Sequence, residues 1–102
     1  MSNYVLLIGR ITSTPEVQDS IDDKKYCIIT IAINRSYKNS EGVYETDYIP
    51  VRLEGSIATN TADYCKQGDL VGVRGSLKKT IDGRLQVYAD KITFLASKDI
   101  NK

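Results

Sequence analysis

Tyrosines stand beside cationic side chains at several places in this sequence, and this combination is the most informative chemistry that it offers. Arg35, Tyr37 and Lys38 fall within four consecutive residues, and Tyr48 and Arg52 stand four positions apart further along the chain. A tyrosine ring can stack on an unpaired base while arginine and lysine side chains contact phosphates. These residues therefore point towards the binding of a single nucleic-acid strand.

Both tyrosines also have a simpler interpretation, which the sequence leaves open. Tyr37 comes shortly before a predicted turn at residues 40–42, so it could belong to a solvated hairpin tip and nothing more. Tyr48 could be an exposed residue that only packs against a neighbouring strand. The sequence alone does not separate these interpretations from binding.

The composition argues against an enzyme. The chain contains no histidine, and no paired carboxylates, metal-ligand cluster or phosphate-binding glycine loop stands out in it. Its two cysteines, Cys27 and Cys65, fall in an apolar strand and in a helical pattern, where reduced core thiols are expected. We therefore expect a non-enzymatic protein that uses no metal and no cofactor. The net charge of +1 decides little, because nucleic-acid binding needs only a local basic surface.

The length and hydropathy predict a single intracellular domain. A chain of 102 residues with 41% hydrophobic content can bury one core but not two. Neither a signal peptide nor an apolar run of membrane-spanning length stands out, so no membrane partner is expected.

The elements that position the tyrosines begin with an apolar run at residues 4–12, which contains Gly9. Its β-branched and aromatic content favours a strand, and its lack of alternation predicts that both faces of that strand are covered. Only residues 56–66 show helical periodicity, so an open sheet would lack the helices needed to cover it. Closure into a barrel is the simpler solution, and Gly9 would let the first strand bend.

Four further strands are predicted from alternating hydrophobicity and turn residues. The four strands cover residues 26–34, 48–54, 70–80 and 84–94. In the strand at residues 26–34, Tyr26 falls on the face opposite the apolar core residues. Leu77 and Leu85 are expected to point inward from the last two strands. Pro50 cannot donate a ladder hydrogen bond, so the third strand should be unpaired on one side at that point. An all-β, five-stranded Greek-key barrel of the oligonucleotide-binding (OB) type, with one short helix between strands three and four, is the predicted fold.

The predicted helix is expected to plug one end of the barrel. Ile57, Thr61, Tyr64 and Cys65 recur at helical spacing and should face the core. Ser56 is the predicted N-cap.

These motifs, taken in order, resemble those of the bacterial and phage-type single-stranded DNA-binding protein family over essentially the whole chain. They are found in residues 3–12 followed by Pro15-Glu16-Val17, in Ala32-Ile33-Asn34-Arg35, in Thr46-Asp47-Tyr48, in residues 64–77 and in residues 83–88. The resemblance implies an OB-fold domain over residues 1–97 that binds single-stranded DNA with little sequence preference. It also implies a cytoplasmic, nucleoid-associated role in DNA replication, recombination or repair, and assembly into a homotetramer or homodimer.

The resemblance also implies roles for individual residues. Tyr37 and Tyr48 match two aromatic positions that stack bases in the family. A third aromatic position is occupied here by Glu54, and the loop at residues 79–84 lacks a fourth, so weaker binding is expected. The predicted single-stranded DNA contacts are Tyr37, Tyr48, Tyr88, Arg10, Arg35, Lys38, Arg52, Arg74, Lys78, Lys79 and Arg84.

The end of the chain leaves an alternative function open. Members of the family usually carry a flexible linker and an acidic tip that recruits partner enzymes, whereas residues 98–102 form only a short end without either. The alternative is an adaptor resembling primosomal replication protein N, which would bind DNA weakly and act through contacts with replication or recombination proteins.

Overall fold

This computed structural model describes residues 1–98 of the chain. These residues contain six strands and one helix. The strands are β1 (Val5–Ile11), β2 (Gln18–Asp19), β3 (Lys25–Lys38), β4 (Tyr44–Glu54), β5 (Leu70–Lys79) and β6 (Leu85–Ala96). The helix α1 (Ser56–Tyr64) lies between β4 and β5. β2 is a two-residue addition to the five predicted strands. Of the predicted C-terminal end, residues 99–102 lie outside the described part.

β1 closes the sheet into a barrel because it pairs with a different strand on each edge. The strand order is β1-β5-β6-β4-β3-β2, and β1 pairs with β5 over most of its length and with β3 only at Arg10 and Ile11. The pairing of β1 with β3 begins beside Gly9. A Cβ atom at Gly9 would collide with the Ile31 side chain and the Ala32 carbonyl oxygen. The predicted five-stranded barrel with one helix is confirmed.

The core of the barrel is apolar and largely β-branched. Its fully buried members include Ile11, Cys27, Ile29, Ile31, Val51, Leu53, Val71 and Val73. α1 adds Ala58 and packs against β3, β4 and β6. Cys27 and Cys65 are both buried free thiols, as predicted, and burial raises the pKa of each.

The outer face of β1 is open to solvent, so the prediction that both faces of this strand are covered was wrong. Leu6 and Ile8 alternate with inward side chains and remain 62% and 55% exposed. α1 packs against the other side of the barrel and leaves these apolar side chains at the surface.

α1 ends earlier than its sequence periodicity predicts. The helix stops at Tyr64, and Cys65 takes an extended backbone conformation. The Tyr64 side chain is exposed and does not face the core as predicted. The prediction that Ser56 caps the helix was also wrong: Gly55 holds the N-cap position, without a side-chain hydrogen bond. Within residues 1–98 no helix is long and apolar enough to cross a membrane.

The β5–β6 hairpin reaches beyond the barrel. Leu77 and Leu85 were predicted to point into the core, but both are exposed. Leu77 is level with Val87, where the pairing of β4 with β6 begins, and Leu85 lies beyond that pairing. The predicted turn at the hairpin tip is confirmed, and Gly83 in it has a φ of 88°.

Candidate nucleic-acid interface

The outer face of β4 is the centre of the predicted site. Its side chains alternate with buried ones and are Tyr48, Pro50, Arg52 and Glu54. Tyr48 is 65% exposed. The β4–β6 ladder begins immediately after Pro50, whose carbonyl oxygen accepts a hydrogen bond from Gln86 Nε2 at 3.0 Å. The prediction that β4 is unpaired on one side at Pro50 is confirmed.

Two cross-strand rows extend this face on either side of β4. In the first, Ala32 of β3 pairs with Tyr48 and also with Arg10 of β1, so a cation and an exposed ring flank one small residue. In the second, Arg52 pairs with Tyr88 of β6.

The Tyr88 ring is itself covered by a cation. Lys78 Nζ of β5 lies 4.8 Å from the ring centroid. With the two rows, the sheet therefore places five of the predicted contacts on one surface. They are Arg10, Tyr48, Arg52, Lys78 and Tyr88.

The other predicted contacts lie at the margins of this surface. Arg74 is the cross-strand partner of Leu6 of β1, and Lys79 and Arg84 stand at the outer end of the β5–β6 hairpin. Tyr37 is exposed on the far arm of β3, where Lys38 Nζ lies 5.7 Å from the centroid of the Tyr44 ring.

Arg35 is directed to the opposite face of the β3–β4 hairpin. It makes two hydrogen bonds of 3.1 Å to Asp47 and one of 3.2 Å to Glu45, and both carboxylates alternate with Tyr48 along β4. The hydrogen bond and the charge of Asp47 raise the pKa of Arg35, and the hydrogen bond from Arg35 lowers the pKa of Asp47. The structure therefore divides the predicted contacts between two faces.

Four of the five arginines in the predicted site are paired with a carboxylate of the protein. The pairs are Arg35 with Asp47 and Glu45, Arg52 with Glu54, Arg74 with Asp90, and Arg84 with Asp82, at 2.8 to 3.2 Å. Exposed ion pairs are worth at most about 1 kcal/mol, so a phosphate can displace them. Their carboxylates nevertheless reduce the local positive charge that phosphates would meet.

Sequence reasoning missed the contact between Tyr26 and Arg52. The guanidinium carbon of Arg52 lies 4.2 Å from the centroid of the Tyr26 ring, and Tyr26 is the direct cross-strand partner of Glu54. The alternation of side chains along β3 predicts that Tyr26 lies on the outer face. It does not predict the neighbours of Tyr26, because these depend on the register between β3 and β4.

The similarity of this chain to known proteins agrees with the nucleic-acid interface that the geometry indicates. The family model described as "Single-strand binding protein family" matches residues 2–95. Single-stranded DNA-binding protein 1 of Clostridium acetobutylicum is 39% identical, over 94% of this chain and 96% of the relative. Single-stranded DNA-binding protein B of Bacillus subtilis is 41% identical, over 76% of this chain and 69% of the relative.

A similar solved structure supports the fold independently. It is a crystal structure of a deletion mutant of the single-stranded DNA binding protein from Thermus aquaticus, with a TM-score of 0.73 and 25% identity. The match covers 92% of this chain and 50% of that one, so this chain spans half the length of the solved protein. By the extent of these matches, the chain belongs to the single-strand binding protein family.

Proposed function

We propose that the protein binds single-stranded DNA with little sequence preference and protects it during DNA replication, recombination or repair. The observation that carries this proposal is the exposed Tyr48 ring on a sheet face that also presents Arg10, Arg52, Tyr88 and Lys78. Stacking on such a ring is worth about 1–3 kcal/mol per base and tolerates any base. We further propose that the protein acts in the cytoplasm, where its DNA ligand would bring it to the nucleoid.

Intrinsic fluorescence provides the first test. The chain has seven tyrosines and no tryptophan, so its emission comes from tyrosines, which include the side chains proposed to stack. Addition of oligothymidine is expected to quench this emission in a saturable way. Unchanged emission and no binding by fluorescence anisotropy, both at low salt, would contradict the proposal.

Glu54 is expected to limit affinity, because it pairs with Arg52 at 3.0 Å and places a carboxylate where phosphates pass. Glu54→Phe, which adds a ring on the outer face, is expected to tighten oligothymidine binding by about 1–3 kcal/mol. Glu54→Gln should recover less affinity but steepen the salt dependence, since Arg52 then regains its net charge. Titrations at two salt concentrations measure both effects. A folded Glu54→Phe protein with wild-type affinity would show that Glu54 does not border the DNA path.

Self-association is the expected state of the protein in solution. Leu6 and Ile8 expose apolar side chains on β1, and symmetric pairing across this strand would cover them. Light scattering at micromolar concentration should give a dimer or tetramer of the 11.4 kDa chain, and the double variant Leu6→Ser, Ile8→Ser should shift the mass downward. A wild-type mass of one chain would exclude this assembly.

The adaptor resembling primosomal replication protein N is a second candidate, favoured by the ion-paired arginines. If Arg52, Arg74 and Arg84 are largely neutralised, few counterions are released on DNA binding and affinity stays low. Oligothymidine binding that disappears at physiological salt would favour the adaptor.

A further inference from the structure

We propose that Tyr26, Arg52 and Ile21 form an additional subsite for one base of single-stranded DNA, at the Glu54 end of the β4 face. This inference rests on the proposed function. It assigns a binding role to a ring on β3 and to an exposed isoleucine in the turn between β2 and β3.

The Arg52 guanidinium is held in a fixed position. It lies 4.2 Å from the centroid of the Tyr26 ring, while its Nε donates a 3.0 Å hydrogen bond to Glu54. The Arg52 side chain is only 27% exposed. An arginine restrained by a ring and a carboxylate presents a planar surface on which a base can stack.

Tyr26 lies directly opposite Glu54 in the sheet. The two residues are direct cross-strand partners, so their Cβ atoms are separated by about 5 Å. The Tyr26 hydroxyl group donates a 3.1 Å hydrogen bond to Gln18 Oε1, which helps to hold the ring in place. The protein thus carries an aromatic ring one strand away from the outer-face position that Glu54 occupies.

Ile21 is fully exposed at the tip of the turn that leads into β3. The turn is held by backbone hydrogen bonds from Ser20 to Lys24 at 2.8 Å and from Asp23 to Ser20 at 3.0 Å. Isoleucine is among the apolar side chains that some proteins insert between the base steps of duplex DNA, so it can pack against a base. A rigid turn that presents one beside Arg52 is therefore suited to contact a base.

The charges around the subsite select the part of DNA that fits. A hollow of about 500 Å³ is lined by Asp19, Ser20, Ile21, Asp22, Tyr26 and Arg52. Its two aspartates disfavour a phosphate, although Asp19 is paired with Lys25 at 2.5 Å. The uncharged base is therefore the part of a nucleotide that suits the hollow.

The β5–β6 turn offers a matched control, because it repeats the construction of the β2–β3 turn. Thr80 donates a backbone hydrogen bond to Arg84 at 2.8 Å, Gly83 donates one to Thr80 at 2.9 Å, and Ile81 is fully exposed. This turn lies at the other end of the β4 face, since β6 runs parallel to β4 and its first residues precede the pairing with Val51.

The test compares oligothymidine affinities of the wild type with those of four variants. Tyr26→Ala is expected to weaken binding roughly 5- to 140-fold, the equivalent of one lost stacking platform, because the Arg52 guanidinium loses the ring that holds it in place. Tyr26→Phe keeps the ring and should retain wild-type affinity. Ile21→Ala should weaken binding several-fold, and Ile81→Ala, which lies at the other end of the β4 face and outside the hollow, should weaken it less. An equal loss in Ile21→Ala and Ile81→Ala would contradict a localised subsite.

Photocrosslinking of the wild type gives a second readout that does not depend on variant stability. Oligothymidine carrying one 5-iodouracil should crosslink to Tyr26, which is the only tyrosine in the tryptic peptide of residues 26–35. Absence of a crosslink in that peptide, together with wild-type affinity of a folded Tyr26→Ala protein, would overturn the subsite but leave the proposed function intact. Failure of the wild type to bind oligothymidine at all would overturn both.

Discussion

Replacing Gly75 by alanine is expected to destabilise the protein strongly. A Cβ atom at this position would collide with the carbonyl oxygen of Tyr88 and lie 2.9 Å from the Cα of Ala89, and both obstacles are backbone atoms. The β5–β6 register shifts at Gly75, which is consistent with this close approach. Overpacking of this kind costs about 1–3 kcal/mol or more, which urea denaturation would measure.

Gly72 is the matched control for this prediction. It lies in the same strand, but a Cβ atom there would have its nearest neighbours, Leu95 Cδ1 and Thr93 Cβ, at 3.9 Å. Gly72→Ala should therefore leave the free energy of unfolding unchanged or slightly raised, because alanine restricts the unfolded chain. Equal unfolding midpoints for Gly75→Ala and the wild type would contradict the close packing of β5 on β6.

Removing the stacking rings is expected to have the second large effect, this time on DNA affinity. Tyr48→Ala and Tyr37→Ala should each weaken oligothymidine binding by about 1–3 kcal/mol without changing the salt dependence, since neither removes a charge. Fluorescence anisotropy with labelled oligothymidine measures both quantities.

Two further variants make this prediction specific. Tyr48→Phe retains the ring and should bind like the wild type. Tyr64→Ala removes an exposed ring on α1, away from the proposed surface, and should also have no effect. A loss for Tyr64→Ala as large as that for Tyr48→Ala would indicate a different DNA path.

Alternation and turn residues are enough to predict the strands but not how they are paired. In the β3–β4 hairpin, Lys38 pairs with Tyr44 whereas Asn34 pairs with Thr46, so β3 contains two extra residues between these pairs. Without this bulge, a strand register counted back from the turn would pair Tyr26 with the residue two positions beyond Glu54. The Tyr26–Arg52 contact therefore depends on a bulge that leaves no signal in the sequence.

The exposure of a strand face is equally hard to predict from one chain. The unbroken apolar run in β1 predicts a strand correctly, but the same pattern arises whether a helix of the chain or another chain covers Leu6 and Ile8. The arginine ion pairs escape prediction for a related reason. Arg35 and Asp47 are twelve positions apart, and Arg74 and Asp90 are sixteen, so only the strand pairing brings them together.

Competition between single-stranded and double-stranded DNA tests the central claim most directly. Labelled oligothymidine bound to the protein is challenged with unlabelled oligothymidine or with a duplex of equal length, at constant salt concentration. Because stacked bases in a duplex cannot reach Tyr48 or Tyr37, the single strand should displace the label at far lower concentration than the duplex. Equal displacement by the two competitors would mean that binding is only electrostatic, and would contradict base stacking on these tyrosines.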